Sequence, residues 1–258
     1  MTCPASNPDR PRAVPLAALL AELGQARAER GPALPFGVEA LDGRLADGGL
    51  AGGALHEVAA ASATLNDDAA ATLFAAGIAA RFAASPGFTI FWALTRFDLY
   101  APGLEQVGLG PERILYAQGI SDSTVLAMAE DALRDGSLAC VIAEVKSADQ
   151  TATRRLQLAA SDGKTPMLLY RRHRIRDRCP LSGLSSAMTR WRIGCVPSAR
   201  LPHPGVGRPR WSVELVRQRN GNPFSLELDA CDDTGRLALP SAARDRAASV
   251  DRADSQAA

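Results

Sequence analysis

From Ala54 onward the sequence alternates between short runs suited to strands and longer runs suited to helices. Strand candidates fall at 55–59, 88–94, 113–117, 138–145 and 166–170, with helix candidates between them at 66–84, 99–107, 121–135 and 148–161. Alternation of this kind makes each helix a crossover between parallel strands, so the sheet must be covered by helices on both faces. Beyond Tyr170 the helical segments stop. Three further strand candidates, 187–196, 210–218 and 224–228, follow, and the last two are joined by RNGNP, which is hairpin chemistry. The predicted fold is therefore α/β: a mostly parallel central sheet flanked by helices and extended by C-terminal antiparallel strands. At 258 residues and 47% hydrophobic content the chain can fill a sizeable core.

The ends have a different character. Residues 1–12 are polar and proline-rich, whereas 14–30 carries Leu16, Leu19, Leu20 and Leu23 at helical spacing, an amphipathic stripe that must be buried against something. A glycine-punctuated lead-in with one short helix at 38–45 follows. The tail SAARDRAASVDRADSQAA balances three Arg against three Asp and lacks a core-forming pattern. This divides the chain into an N-terminal disordered segment and helical arm (1–33), a core (34–240) and a disordered tail (241–258).

No run of eighteen apolar residues occurs, and the N-terminus lacks a signal-peptide apolar region, so the expected location is cytoplasmic, with no membrane partner. Five cysteines form no CxxC pair, which suits reduced thiols. His173, Cys179, Cys195 and His203 match no structural zinc spacing, and no metal is expected. The net charge of +1 hides a segregated distribution: residues 171–217 hold eleven Arg against Asp177 and Glu214. Five of these, Arg171, Arg172, Arg174, Arg176 and Arg178, fall within eight residues, in what is expected to be a mobile basic loop. Guanidinium groups at this density suit phosphate backbones, or an acidic protein surface, or simply solvent.

The turn after the first core strand, AAASATLNDDAA, lies where many α/β proteins cradle a phosphate. A working phosphate loop needs glycines, a lysine and a magnesium-binding hydroxyl. This stretch (Ala60, Ser62, Asn66, Asp67 and Asp68 among its residues) has neither glycine nor lysine, and its two carboxylates at a helix start repel phosphate. No nucleotide cofactor is expected. Asn66 is the expected N-cap of the helix. The next strand ends in Ala93-Leu94-Thr95 where a water-activating acid could stand; Glu144 ends the strand LACVIAEV, either as a magnesium-holding acid or as a solvated terminus. No G-x-S-x-G elbow or other nucleophile with its base is present, so no catalytic residue is assigned. Trp191 and Trp211, flanked by Arg at alternate positions, are expected to face the core while Arg192 and Arg210 face away.

PFGVEALDGRLADGGLAGGALHEV is similar to the lead-in of the RecA recombinase core, ALTRFDLYAPGLEQVGLGPERILYAQ resembles the stretch that carries RecA's water-activating glutamate, and LLYRRHRIRDRCPLSGLSSAMTRWRIG resembles its strand, DNA-binding loop and returning strand. RecA's glutamate position is filled here by Leu94 or a neighbour. Together with ATRRLQLAASDG, MTRWRIG and GRPRWSVELVRQRNG, the order of motifs over roughly residues 14–239 resembles the ImuA family of RecA-like inducible mutagenesis proteins. The resemblance implies a non-catalytic accessory protein of SOS-induced translesion DNA synthesis. Its implied partners are an ImuB-like Y-family polymerase homologue, an error-prone C-family DNA polymerase, RecA, and single-stranded DNA as a candidate at the arginine loop. The leucine stripe matches the arm by which RecA packs on its neighbour. A SulA-like cell-division inhibitor and a residual DNA-dependent ATPase are the alternatives.

Overall fold

The computed structural model describes residues 32–240 apart from 86, 174–177 and 199–203. The expected arm with Leu16, Leu19, Leu20 and Leu23, the tail from 241, and Arg174 and Arg176 lie outside the described residues.

The lead-in forms a small antiparallel ribbon, β1 (Ala33–Leu34) with β2 (Leu50–Ala51), enclosing the one-turn helix α1 (Glu39–Asp42). The Asp42 carboxylate accepts from the backbone N–H groups of Phe36 and Gly37, which closes the turn. The sequence suggested a longer helix at 38–45 and no ribbon.

Eight strands make the main sheet: β3 (Leu55–Ala60), β4 (Ile90–Leu94), β5 (Ile114–Gln118), β6 (Cys140–Val145), β7 (Met167–Arg171), β8 (Thr189–Val196), β9 (Arg210–Gln218) and β10 (Phe224–Asp229). Their spatial order is β10-β9-β8-β3-β7-β6-β4-β5. From β8 to β5 all neighbours are parallel, whereas β9 and β10 are antiparallel additions. This is the mostly parallel, RecA-like α/β core with C-terminal antiparallel strands that the sequence predicts. Strands β3, β6 and β7 are buried at every position, as expected of parallel strands covered on both faces.

Helix α2 (Leu65–Phe82) covers one face. Six of its nine buried residues are alanines, and Gly77 is a seventh small residue, so the helix can lie close to the sheet. Its two large buried side chains, Phe74 and Ile78, join a cluster with Trp92, Tyr170, Trp191 and Trp211. Phe74 sits 5.8 Å from Trp191 and 6.4 Å from Trp211, ring centre to ring centre, and Phe36 completes the group at 5.6 Å from Trp191. Both tryptophans thus face the core as expected, while Arg192 forks onto Glu214 and Arg210 reaches Asp229. The other face carries α4 (Asp122–Asp135) and α5 (Gln150–Asp162), which bury Val125, Leu133 and Leu156 against Leu55, Val141 and Leu169. Ser121 and Asp149 cap these two helices by accepting from the N–H groups of Thr124 and Ala152, and Gly136, at φ 70°, ends α4 in the left-handed conformation that glycine adopts without penalty. The helix expected at 99–107 is the single turn α3 (Ala101–Glu105).

Buried in the middle of β3, His56 accepts from the Thr189 hydroxyl at Nδ1 and donates from Nε2 to the Ala51 carbonyl; Trp191 Nε1 donates in turn to Thr189 Oγ1. The carbonyl can only accept, so the neutral Nε2-protonated tautomer is the one that fits. Burial lowers the His56 pKa from 6.5 to about 4. A folded-state pKa below the unfolded one means stability is fully present above 6.5 and is lost as pH falls toward 4. The loss should reach about 3 kcal/mol. Urea midpoints of the wild type and His56→Gln at neutral and acid pH would test this: the acid-induced drop should be markedly smaller in the variant, and equal drops would refute the assignment.

Candidate functional site

The turn that leaves β3 is tied to β8 by the Ala61 N–H, which donates to the Ile193 carbonyl at 2.7 Å, and is otherwise held by side chains. Thr64 is extended (φ −79°, ψ 152°), and its Oγ1 accepts from Asp67 N at 3.4 Å, so Thr64 caps α2. Asn66, the expected cap, is already the second helical residue. Both residue types can cap; the position of the last extended residue decides between them.

The two carboxylates of the first turn are both occupied. Asp67 accepts from Ser62 Oγ through one oxygen and from the backbone N–H of Cys195, at the end of β8, through the other. Asp68 accepts from the Tyr170 hydroxyl at 2.5 Å and from Arg172 Nη1 at 2.6 Å. Where a phosphate loop would receive an anionic ligand, this chain supplies its own anions and ties them to neighbouring strands. Favourable placement of acids in the first helical turn also satisfies the helix dipole.

Arg172 is the hub of this network. Its Nε donates to Glu144 Oε2 at 2.7 Å, and its Nη2 lies 2.6 Å from the same oxygen and 3.3 Å from Asp98. Trp92 Nε1 donates to the other Glu144 oxygen at 2.7 Å. Glu144 is 3% exposed, so it is not a solvated strand terminus, and both its oxygens already have donors. Burial raises its pKa, partly countered by the Arg172 charge. Burial alone would weaken the Arg172 charge, yet the Glu144 and Asp68 carboxylates prevail and hold its pKa above the ordinary value. Burial, then Asp68, push the Tyr170 hydroxyl upward, so it remains a donor.

A second charged cluster centres on Glu57, which is fully buried in β3. Arg171 Nη1 donates to one carboxylate oxygen at 2.8 Å and Arg190 Nε to the other at 2.6 Å. Arg171 Nη2 also reaches the Ala148 carbonyl, and Arg190 Nη1 the Gly183 carbonyl. The sequence placed Arg171 at the start of a mobile basic loop; it is instead the last residue of β7, 7% exposed, because Glu57 on the adjacent strand gives it a buried partner. Of the remaining arginine candidates, Arg172 belongs to the Glu144 network and Arg178 borders a cavity with Lys146 and Ser182. The glutamate inside the strand run LHEVAA is the sequence signal for a buried ion pair.

Next to the acidic turn, Leu65, Leu73, Leu99, Tyr100 and Leu104 border an apolar recess of about 420 Å³. No helix among the described residues is long and apolar enough to cross a membrane.

No family model matches the chain. The protein named Protein ImuA of Caulobacter vibrioides strain NA1000 / CB15N is 36% identical over 204 residues, spanning 77% of this chain and 84% of that protein. The chain belongs to the ImuA family. The Protein ImuA of C. vibrioides strain ATCC 19089 / CB 15 matches to the same extent. Among solved structures, SulA from Pseudomonas aeruginosa overlaps 46% of this chain and 97% of its own at 23% identity and a TM-score of 0.38, a likeness that carries no functional argument. In this ImuA-family chain the acids of the β3–α2 turn are bound internally.

Proposed function

We propose that this ImuA-family chain is a non-catalytic adaptor in damage-induced mutagenic DNA synthesis. It uses the RecA-like core as a rigid platform and its N-terminal leucine segment (Leu16, Leu19, Leu20, Leu23) and arginine-rich segment as contact elements. The partners on this reading are an ImuB-like Y-family polymerase homologue, an error-prone C-family polymerase and RecA, with contact to single-stranded DNA from the arginine segment. The observation that carries it is the internal saturation of the acids in the β3–α2 turn: Asp67 and Asp68 are held by Ser62, Cys195 N, Tyr170 and Arg172. A nucleoside triphosphate would have to approach these carboxylates without a lysine or glycine cradle to offset them. An architecture that gives up nucleotide binding while keeping its sheet and helices is left with surfaces to offer.

Calorimetric titration with ATP and magnesium tests the non-catalytic part. No saturable heat is expected, and saturable magnesium-dependent binding would replace the adaptor by a residual DNA-dependent ATPase. The contact role is tested by co-purification of the full chain with RecA, which should be lost on deletion of residues 1–33. Retention in the deletion would remove the arm from the reading.

A further inference from the structure

On the face of the sheet opposite α2, the Glu57 cluster is electrically unbalanced. Two guanidiniums, Arg171 and Arg190, with side chains 8% and 7% exposed, share one fully buried carboxylate. Buried charges persist when paired, and here one positive charge exceeds its partners. The Arg171 Nε has no hydrogen-bond partner, although it is buried. Arg171 forms the inner wall of a cavity of about 220 Å³ whose other walls include Lys146, Ser147, Arg178 and Ser182, with Arg172 at one edge. Among the described residues, neither Lys146 nor Arg178 has a carboxylate partner. The rim is fixed in place: Asp122 Oδ2 accepts from the backbone N–H groups of Lys146 and Ser147, at 3.2 and 2.9 Å, leaving both side chains available.

We propose that this cavity binds a phosphate of a single-stranded nucleic-acid backbone. It would be a phosphate site on the opposite face from the β3–α2 turn, formed by the ends of β6 and β7 and the 178–183 segment. The choice of a backbone phosphate rests on the reading of this chain as one that works at DNA; the demand for an anion rests on the charge excess alone. An oxyanion entering the cavity would meet the Arg171 charge from within and the Lys146 and Arg178 charges from the rim. The hydroxyls of Ser147 and Ser182 supply neutral donors, a set matched to the several acceptor oxygens of a phosphate. Arg171 stays in place as the fixed positive floor, and the rim cations make the reversible contact. The five-arginine loop of the sequence is thereby reduced to fewer contacts, since Arg172 is held by carboxylates and Lys146, from a different loop, joins the site.

The test is fluorescence anisotropy of a labelled oligo-dT strand with the full chain, over a range of salt concentrations. Lys146→Ala with Arg178→Ala, both on the rim and neither part of a buried pair, should raise Kd at least roughly tenfold. It should also flatten the plot of log K against log salt by about 0.7, the value for one lost single-strand phosphate contact. Lys146→Arg should retain binding, and the ATP titration should be the same in the wild type and the double variant, so failure of the nucleotide-free reading would appear separately. Unchanged affinity in the double variant, or no oligonucleotide binding by the wild type, overturns the proposal. Equal displacement of the strand by polyglutamate and by unlabelled oligo-dT also overturns it and assigns the cavity to an acidic protein segment.

Discussion

Glu57→Gln should destabilise the protein by about 3–5 kcal/mol, the range for removing one partner of a buried ion pair. The variant keeps the shape of the side chain and removes only its charge, leaving Arg171 and Arg190, whose side chains are 8% and 7% exposed, without their shared carboxylate. Against a typical total of about 5–15 kcal/mol, this is a large share. Urea unfolding at neutral pH gives the number directly. A second variant separates charge from packing: Glu57→Met combined with Arg171→Met and Arg190→Met should regain most of the loss, because a buried ionic cluster replaced whole by apolar side chains is often neutral or better. A Glu57→Gln protein within about 1 kcal/mol of wild type would mean that the three charges are not coupled as their distances imply.

The parallel core was legible because its signal is local. CVIAEV is short and lies between helix-period segments, MLLYR is short and follows one, and the structure places them in β6 and β7. The inward tryptophans and outward Arg192 and Arg210 were readable too, since strand periodicity needs only consecutive residues. Strand order was not. Inserting β8 beside β3 makes β3 a central strand, and that choice depends on chain crossings that leave no mark in the local pattern.

The site was less legible for the same reason. Glu57 finds Arg171 114 residues away and Arg190 133 away, while Arg172 finds Asp68 across 104. Charge clustering in sequence suggested a single basic loop. In space two adjacent arginines go to separate carboxylate networks, because successive strand residues point to opposite faces: Arg171 shares the face of Met167 and Leu169, and Arg172 lies with Glu144 and Tyr170. That the β3–α2 turn has no glycine or lysine could be read directly, but the internal partners of its two carboxylates could not.

Arg172→Ala should cost about 2–4 kcal/mol at neutral pH, less than the Glu57 variant because the Arg172 side chain is 22% exposed and water screens part of the loss. The diagnostic feature is its pH dependence. Burial already raises the Glu144 pKa, and Arg172 is the main group opposing that rise. Without the guanidinium, Glu144 should titrate higher still in the folded state. A carboxyl whose folded pKa lies above its unfolded value leaves stability intact below the unfolded value and erodes it as pH rises through the folded one. Asp68 and Asp98 each lose one ion pair in the variant as well. The gap between wild type and Arg172→Ala should therefore be small at about pH 5 and widen toward about pH 8. His56 titrates in both proteins and cancels from the difference. Arg172→Lys, which keeps the charge but cannot fork between Glu144, Asp68 and Asp98, should fall between the two. A gap that stays constant across this range would show that Arg172 acts by packing over the Tyr170 ring, 5.2 Å away, and that Glu144 is held by Trp92 alone.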